Sequence, residues 1–513
     1  MNNKRLCSFL SDKRFIILAI SCLLCGFLNI FDSWMTHFKN PPQFLLLLIP
    51  FVILVTFIFV YVKNIKVDER VIIFLIFAIG FIFRLVYIQS TGYLSRQHDV
   101  SGSNGHYEYI MKFYNHQKLP ETVEWQYYQP PVWHYICALF LHIQTAAGVA
   151  IEAARENLQL ITLFCSSAIM FISHRLFRQF GLKDTPLVIA CAIIAFHPTF
   201  IILSGSINND VLSLTLALLS CTLAIKWYRE PKLKTILLLA LSIGFSMGVK
   251  LSGGLISVGV AMLFAIKLFG NEYKNKLGLI GQYSLFGVLC VPIALWWQVR
   301  NLLLYNIPLT YIPKLSETNS QYIGFRSFFE RIFDISSIWD AGVYPARAIK
   351  SKLGIFDYYE YNIPAAVLKT SVFGEYYLGF TSPIGRFFAV LLFYSAAILA
   401  IISVVSAVDL LVRRIKERKN DCEFKLSELI FTLVCSVTVI FSYTKFCFDF
   451  AHFCTMDFRY IAITVVFGAL YVGLLLKQNQ KNNKMFDKVL VNTLIVLTII
   501  FAISSLALYS TAA

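Results

Sequence analysis

The chain has 513 residues, of which 58% are hydrophobic and only 14% are charged, and its formal net charge at pH 7 is +16. Apolar runs of about 20 residues, the length needed to cross a bilayer, recur from end to end, which excludes an ordinary soluble protein. The runs do not alternate between apolar and polar residues, which excludes an outer-membrane barrel. The sequence therefore predicts an all-α polytopic membrane protein.

The positive charge is distributed in clusters between the apolar runs. In a membrane protein every second loop lies on the cytoplasmic face, and those loops typically carry an excess of Lys and Arg. The charge therefore indicates topology and contact with anionic lipid headgroups of the bilayer, and no nucleic-acid partner is expected.

The hydrophobic pattern predicts about thirteen transmembrane helices, with the N-terminus in the cytoplasm and the C-terminus outside. They are expected near 15–31, 43–62, 71–89, 157–174, 185–204, 210–227, 235–250, 253–269, 278–299, 385–410, 427–444, 459–477 and 489–509. A further apolar stretch, 132–149, follows Pro130-Pro131 and carries His134 and His142. We interpret it as an interfacial or re-entrant helix on the outer face, started by the two prolines.

The first outer loop concentrates titratable groups in the stretch "SRQHDVSGSNGHYEYIMKFYN". A carboxylate such as Asp99 at a membrane-facing cavity can act as a general base, or it can simply cap the following helix. His98 and His106 can orient Asp99 or, together with Glu108, bind a metal. His106 and Glu108 point apart on a helix, which favours His106 as a sugar or acceptor contact. No metal site and no cofactor are predicted.

Further polar residues follow at the outer ends of later spans. "SGSINND" places Asn208, Asn209 and Asp210 at one turn. Asn208 or Asn209 can hydrogen-bond a sugar or an acceptor. Asp210 is either a helix cap or a functional carboxylate, and the sequence favours neither interpretation.

Three cations break the positive-inside pattern at predicted outer membrane ends: Lys250, Arg300 and Arg459. A lone cation inside the hydrocarbon costs roughly a few kcal/mol, so each is expected to have a compensating anion. The anion is either an internal carboxylate (Asp210, Glu375 or Asp457) or a bound phosphate, unless the cation extends to the headgroups. Arg84, near the outer end of the third span, is a weaker candidate of the same kind.

The segment 300–384 is polar and aromatic, and it is too long for a bare loop. We expect a small helical lid over the site, from which Glu375 could reach the cavity. Cys447 and Cys454 share the next predicted outer loop and are either a disulfide or two free thiols.

The order of several motifs resembles a known family. "HDVSGSNGHYEYI", "YYQPPVWHY", "FHPTFIILSGSINNDV", "GFSMGVKLSGG", "WWQVRNLLLYNIPLTY" and "CTMDFRYIAITVV" together resemble the GT-C membrane glycosyltransferases. The nearest group is the protein-mannosyltransferase-like family 39, which includes the lipid A aminoarabinose transferases. The resemblance covers roughly residues 71–475, and the family's Asp-Glu pair is here Asp99-Val100.

This resemblance implies a GT-C-like helical bundle and a sugar transferase. The donor would be a sugar on a polyprenyl phosphate, transferred with inversion at the outer face to a glycan, lipid or protein acceptor. Asp99 would be the base, and the cations would bind the donor phosphate. Asn209, Asp210, Glu375, His98, His106 and Glu108 would contact the sugar or acceptor.

The resemblance also suggests a domain organisation and a location. Residues 1–70 would be an added N-terminal pair of spans, and 71–299 the core with its catalytic first outer loop (90–156). Residues 300–384 would form the outer-face segment, and 385–513 the C-terminal spans. The expected location is the plasma membrane of a bacterium.

Two other functions fit the sequence as alternatives to a transferase. One is a secondary transporter, and the other is a flippase or binder of lipid-linked sugars.

Overall fold

A computed structural model describes residues 68–511, except 96–98, 272, 320, 340–345, 352–353, 375–382, 418–423 and 483–484. The first helices in chain order are α1 (Glu69–Ser90), α2 (His106–His116), α3 (Val132–Ala146), α4 (Ile151–Glu156), α5 (Gln159–Gln179), α6 (Asp184–Phe196), α7 (Pro198–Gly205), α8 (Asp210–Arg229) and α9 (Leu233–Val249). The remaining helices are α10 (Ser257–Phe269), α11 (Lys276–Tyr305), α12 (Phe328–Phe333), α13 (Ile363–Phe373), α14 (Pro383–Glu417), α15 (Leu426–Asp449), α16 (Ile463–Asn482) and α17 (Met485–Thr511).

The helical membrane class predicted from the sequence is confirmed. In the described residues eight helices are long and apolar enough to cross a membrane, or up to ten if two bent helix pairs each form one span. Every span predicted beyond residue 68 coincides with a helix or with one of these pairs. The first two predicted spans, 15–31 and 43–62, lie outside the described residues, so the total of about thirteen stays a prediction.

Two helix pairs are bent, and the first bend has an identifiable cause. α6 and α7 meet at 42° where Pro198 follows His197, since proline cannot continue the backbone hydrogen bonding of the first helix. The second bend, 46°, separates a pair of 3₁₀ turns, Phe453–Ile461, from α16. Residues at such a break are outside a regular helix. The second break contains one of the residues of the site described below.

Close helix packing holds the first half of the molecule together. α9 packs between α8 and α11. A side chain at Gly244 of α9 would lie 3.1 Å from Cβ of Ile293 in α11, so the glycine lets the two backbones approach. α8 and α15 are joined by Arg229, which donates to both carboxylate oxygens of Glu428 at 2.6 and 2.7 Å.

The segment after α11 departs from the all-helical prediction. It contains α12, α13 and two short strands, β1 (Ala346–Ser351) and β2 (Gly354–Tyr359), paired as an antiparallel hairpin. Six-residue strands are too short to give a clear pattern among the polar and aromatic residues of this segment. Within the segment, Lys369 of α13 is fully buried and pairs with Glu360 at 3.3 Å. The segment is joined to the rest of the molecule by Thr370 of α13, whose hydroxyl accepts a hydrogen bond from the Phe458 N–H at 3.0 Å.

A glycine contact between α10 and α15 gives a test of the packing. A Cβ at Gly259 would lie 2.5 Å from Sγ of Cys435 and 2.9 Å from the Phe431 ring, whereas a Cβ at Gly281 in α11 meets nothing within 4 Å. We expect Gly259→Ala to destabilise the protein by about 1–3 kcal/mol through overpacking. Gly281→Ala is the matched control and should leave the thermal unfolding midpoint in detergent unchanged. Equal midpoints for the two variants would contradict the packing described here.

Candidate functional site

Four charged side chains from distant parts of the chain meet in one place: Asp99, Asp210, Lys250 and Arg459. Nη2 of Arg459 lies 3.3 Å from Oδ2 of Asp99, and its Nε lies 3.3 Å from Oδ2 of Asp210. Nζ of Lys250 donates to the other oxygen of Asp210. Two carboxylates therefore face two cations, and together they form the group that we call the ionic cluster.

Asp99 is held by a tight loop that leads into α2. Its carbonyl accepts a hydrogen bond from the N–H of His106 at 2.9 Å, and the Val100 carbonyl accepts from Tyr107 at 3.1 Å. A Cβ at Gly105 would lie only 2.7 Å from the Val100 oxygen, so this closure requires glycine. α2 begins at His106 with Gly105 as its cap, so Asp99 does not cap the helix.

Asp210 and Lys250 sit at helix ends. Asp210 is the first residue of α8, with Asn209 at the cap position, so the capping role considered from the sequence is wrong. Lys250 follows the last residue of α9, where a 3₁₀ turn (Leu251–Ile256) begins. The Asp210 side chain is 9% exposed and the Lys250 side chain 17%, so their attraction is only weakly screened by water.

Arg459 lies in the break before α16. The Asp457 side chain accepts from the Arg459 N–H at 2.6 Å, and the Phe458 N–H donates to Oγ1 of Thr370 in α13 at 3.0 Å. The Arg459 side chain is only 5% exposed, and its Nη2 also donates to the Tyr460 hydroxyl at 2.8 Å. The Tyr460 ring lies 4.7 Å from Nζ of Lys250, so one aromatic ring lies beside both cations.

A set of neutral hydrogen bonds fixes the elements around the cluster. Nε2 of Gln129 donates to Gln126, and Nδ2 of Asn209 donates both to Oε1 of Gln129 and to the Val249 carbonyl. Nε1 of Trp297 in α11 donates to the Tyr128 carbonyl at 2.8 Å. These bonds join the loop before α3 to the ends of α8 and α9 and to α11.

The ionic cluster forms part of the wall of a cavity of about 380 Å³. One side is polar and contains His106, Gln126, Gln129, Gln298 and Asn301. The rest is largely apolar and is contributed by three segments: Leu251 to Leu255, Ile307 to Ile312, and Val439 to Phe446 of α15. The cavity can therefore hold a ligand with an anionic group, polar substituents and an apolar part.

The residues predicted around the first outer loop are not all at the cavity. His106 lines it, and its Nδ1 lies 2.9 Å from Nε2 of His134. Glu108 is exposed and accepts from the Asn104 N–H, which supports the loop. His98 and Glu375 lie outside the described residues. Asn209 is buried next to Asp210, and its side chain donates to Gln129, which lines the cavity.

Two of the predicted cations lie elsewhere. Nη2 of Arg300 donates to the Pro120 carbonyl at 2.8 Å, and its guanidinium packs 4.5 Å from the Trp297 ring centroid. Arg84 is fully buried inside the helical body, where it donates to Ser166 and to the carbonyls of Gly80 and Ala195. The structure does not bring either of them into the ionic cluster.

The described residues of this region offer few groups for metal binding or thiol chemistry. Within the described ranges no three His, Cys, Asp or Glu side chains are arranged to hold a metal ion. Cys447 and Cys454 are not joined to each other by a disulfide, and Sγ of Cys447 donates to the Thr455 carbonyl at 3.3 Å.

Several residues at the cavity were not predicted as site residues. Gln126, Gln129, Gln298, Asn301 and Tyr460 are neutral, and a neutral polar residue at a helix end gives no charge signal in the sequence. The motifs "YYQPPVWHY", "WWQVRN" and "CTMDFRY" nevertheless contain four of these five residues and directly follow the fifth, Gln126. Motif membership could have identified them.

The middle of the chain matches a family model. Residues 128–297, about a third of the chain, match the family described as dolichyl-phosphate-mannose-protein mannosyltransferase. This match confirms the resemblance drawn from the motifs. It includes Asp210 and Lys250 and excludes Asp99 and Arg459. No curated protein matches the chain.

Two solved structures are similar at low identity. The oligosaccharyltransferase from Archaeoglobus fulgidus, in a complex with Zn and sulfate, has 13% identity and a TM-score of 0.43, and the similarity covers 85% of this chain and 53% of that one. ArnT from Cupriavidus metallidurans, bound to undecaprenyl phosphate, has 11% identity and a TM-score of 0.45, with coverage of 85% and 76%. This chain thus spans about half the length of the Archaeoglobus protein.

The ionic cluster makes a stability prediction. Asp210→Asn removes the carboxylate shared by Lys250 and Arg459, and breaking a buried ion pair in this way costs about 3–5 kcal/mol. The thermal unfolding midpoint in detergent should fall markedly. Asp449→Asn is the matched control, because Asp449 is half exposed and pairs only with Lys445 one helical turn away, an interaction worth about 0.5 kcal/mol. Similar midpoints for the two variants would show that the ionic cluster is not a coupled unit.

Proposed function

We propose that this protein is a membrane glycosyltransferase that moves a sugar from a polyprenyl-phosphate donor to an acceptor hydroxyl, with inversion at the anomeric carbon. The observation that carries the proposal is the ionic cluster on the wall of a cavity with a polar and an apolar side. The family match over residues 128–297 supports it, because that family is named for a lipid-phosphate sugar donor.

Lys250 and Arg459 would bind the donor phosphate. A phosphate needs fixed positive charge in a site with little water, and both cations are largely buried at the cavity wall. The apolar residues of α15 and of the segment 307–312 would contact the first part of the isoprenoid chain. Arg84 and Arg300 are not part of this proposed phosphate site, because both donate to groups outside the cluster.

Asp99 would be the general base. The acceptor oxygen attacks the anomeric carbon and forms the new C–O bond, while the bond between that carbon and the phosphate oxygen breaks. The proton of the acceptor hydroxyl moves to the Asp99 carboxylate, and polyprenyl phosphate leaves with the electron pair. The Asp99 side chain is 30% exposed, whereas the Asp210 side chain is 9% exposed. Asp99 is therefore the carboxylate that a substrate can reach.

Donor binding would release the base. In the unliganded protein, Arg459 contacts both Asp99 and Asp210, so the cluster has equal numbers of positive and negative charges. A phosphodiester adds one negative charge and competes with Asp99 for the same guanidinium. Asp99 is then left without its cation and can take a proton from the acceptor.

The location follows from the same proposal. The motifs that form the site were expected at the outer face from the alternation of basic loops, so we place the reaction at the outer surface of a bacterial plasma membrane, with the N-terminus in the cytoplasm. The segment between α11 and α14 would act as a lid, since its residues 307–312 already line the cavity.

A deletion strain tests the function as a whole. Loss of a transferase should leave its sugar-loaded polyprenyl phosphate to accumulate, while one envelope glycan, lipid or protein loses one sugar. Mass analysis of polyprenyl-linked sugars and of envelope glycans measures both. An unchanged pool of lipid-linked sugars, or their accumulation without loss of any product, would contradict transfer and favour a binding or flipping role.

Asp99→Asn tests the proposed base. The amide keeps the size of the side chain but cannot accept the proton, so turnover in the complemented strain or in membranes should fall by about 10²-fold or more. The variant should still bind undecaprenyl phosphate, as measured by the thermal stabilisation of the protein when the lipid is added. The exposed Glu121→Gln is the matched control and should be fully active. Turnover by Asp99→Asn close to that of the parent would exclude Asp99 as the base.

A further inference from the structure

Two neutral polar residues in the cavity lining have a side-chain group that the hydrogen bonds described above leave unused. They are His106 at the start of α2 and Gln298 in α11, and both line the same cavity as the ionic cluster. His106 lies close enough to Lys250 and Arg459 for their charges to act on its ring. A group attached to a phosphate at these cations would therefore lie next to His106.

His106 is held rigidly by a second histidine. Nδ1 of His106 lies 2.9 Å from Nε2 of His134, and the two rings are nearly parallel, with an angle of 12° between their planes. The Tyr109 ring stacks on His134 at 3.9 Å. With Nδ1 engaged, Nε2 is the ring nitrogen of His106 that is left for the cavity.

The charge of His106 follows from its surroundings. Burial lowers the pKa of His106 well below its usual value, and Lys250 and Arg459 lower it further, so the ring is neutral. One nitrogen of a neutral imidazole donates a hydrogen bond and the other accepts one. In either tautomer, therefore, Nε2 of His106 offers the cavity one hydrogen-bonding group while Nδ1 is engaged with His134.

Gln298 offers a second hydrogen-bonding group. Its side-chain oxygen is fully buried and accepts no hydrogen bond in the described part of the chain, although the residue lines the cavity. A buried polar group without a partner is unfavourable, and a ligand that hydrogen-bonds to this amide would recover the lost free energy.

We propose that His106 and Gln298 bind hydroxyl groups of the donor sugar and so determine which sugar is accepted. This inference rests on the proposed function. Both residues offer neutral hydrogen-bonding groups, and sugar hydroxyls can pair with them because they donate as well as accept, whereas a bare phosphodiester only accepts. The sugar of a donor whose phosphate is bound at Lys250 and Arg459 would lie in the cavity that both residues line. His134 is a positioning residue, because it acts only through its hydrogen bond to His106.

The experiment compares two lipids on purified full-length protein. One is undecaprenyl phosphate, and the other is the sugar-loaded polyprenyl phosphate that accumulates in the deletion strain. Thermal stabilisation is titrated with each lipid for the parent and for three variants. His106→Asn can still bond His134 but has no polar atom at the position of Nε2, whereas His106→Gln places its amide there. Gln298→Met keeps the side-chain length and removes the amide.

We expect His106→Asn and Gln298→Met to bind the sugar-loaded lipid about three- to tenfold more weakly, as for one lost neutral hydrogen bond each. Their affinity for undecaprenyl phosphate should be unchanged. His106→Gln should recover most of the lost affinity. Gln298→Met should not lower the unfolding midpoint of the unliganded protein, because the amide oxygen has no partner to lose, and a merely structural glutamine would not behave in this way.

Two results would overturn the inference while leaving the proposed function in place. One is an equal loss of affinity for both lipids, and the other is full affinity of His106→Asn and Gln298→Met for the sugar-loaded lipid. Failure of undecaprenyl phosphate to stabilise the parent protein would instead overturn the proposed function, and this inference with it.

Discussion

The contact of Arg459 with Asp99 and Asp210 is the interaction on which the site depends. A buried guanidinium needs compensating partners, and at Arg459 these are carboxylates from positions 360 and 249 residues away in sequence. Asp99, Asp210, Lys250 and Arg459 each lie in a loop or at a helix end, so the site depends on where the helices begin and end.

The helical body was predictable because its cause is local. A bilayer requires about 20 apolar residues for each span and a satisfied backbone throughout, and both requirements are visible in the sequence. The two bends and the β1–β2 hairpin were not visible. His197-Pro198 marks one bend only after the fact, since proline also occurs inside α11, at Pro292, without ending that helix.

The site was predictable only in part, for a physical reason. A cation at the end of an apolar run signals a compensating partner, and this signal found Lys250 and Arg459. It also found Arg84 and Arg300. The partners of Arg84 are backbone carbonyls and the Ser166 hydroxyl, and those of Arg300 include the Pro120 carbonyl and the neighbouring Trp297 ring. Charge alone cannot separate these cases. Gln298 and His134 gave no signal as site residues, because a neutral polar side chain carries no charge and its role depends on what faces it.

The charge balance of the ionic cluster would link substrate binding to the chemistry in the proposed reaction. With two carboxylates facing two cations, the cluster has no excess positive charge to attract an arbitrary anion. An anion would have to displace a carboxylate, and Asp99, with 30% of its side chain exposed against 9% for Asp210, is the one that can turn into the cavity. Asp210 would stay bound to Lys250 and keep both cations in place. A ligand whose phosphate and sugar both found partners would recover more free energy than phosphate alone, so the proposed base would be released most readily by the complete donor.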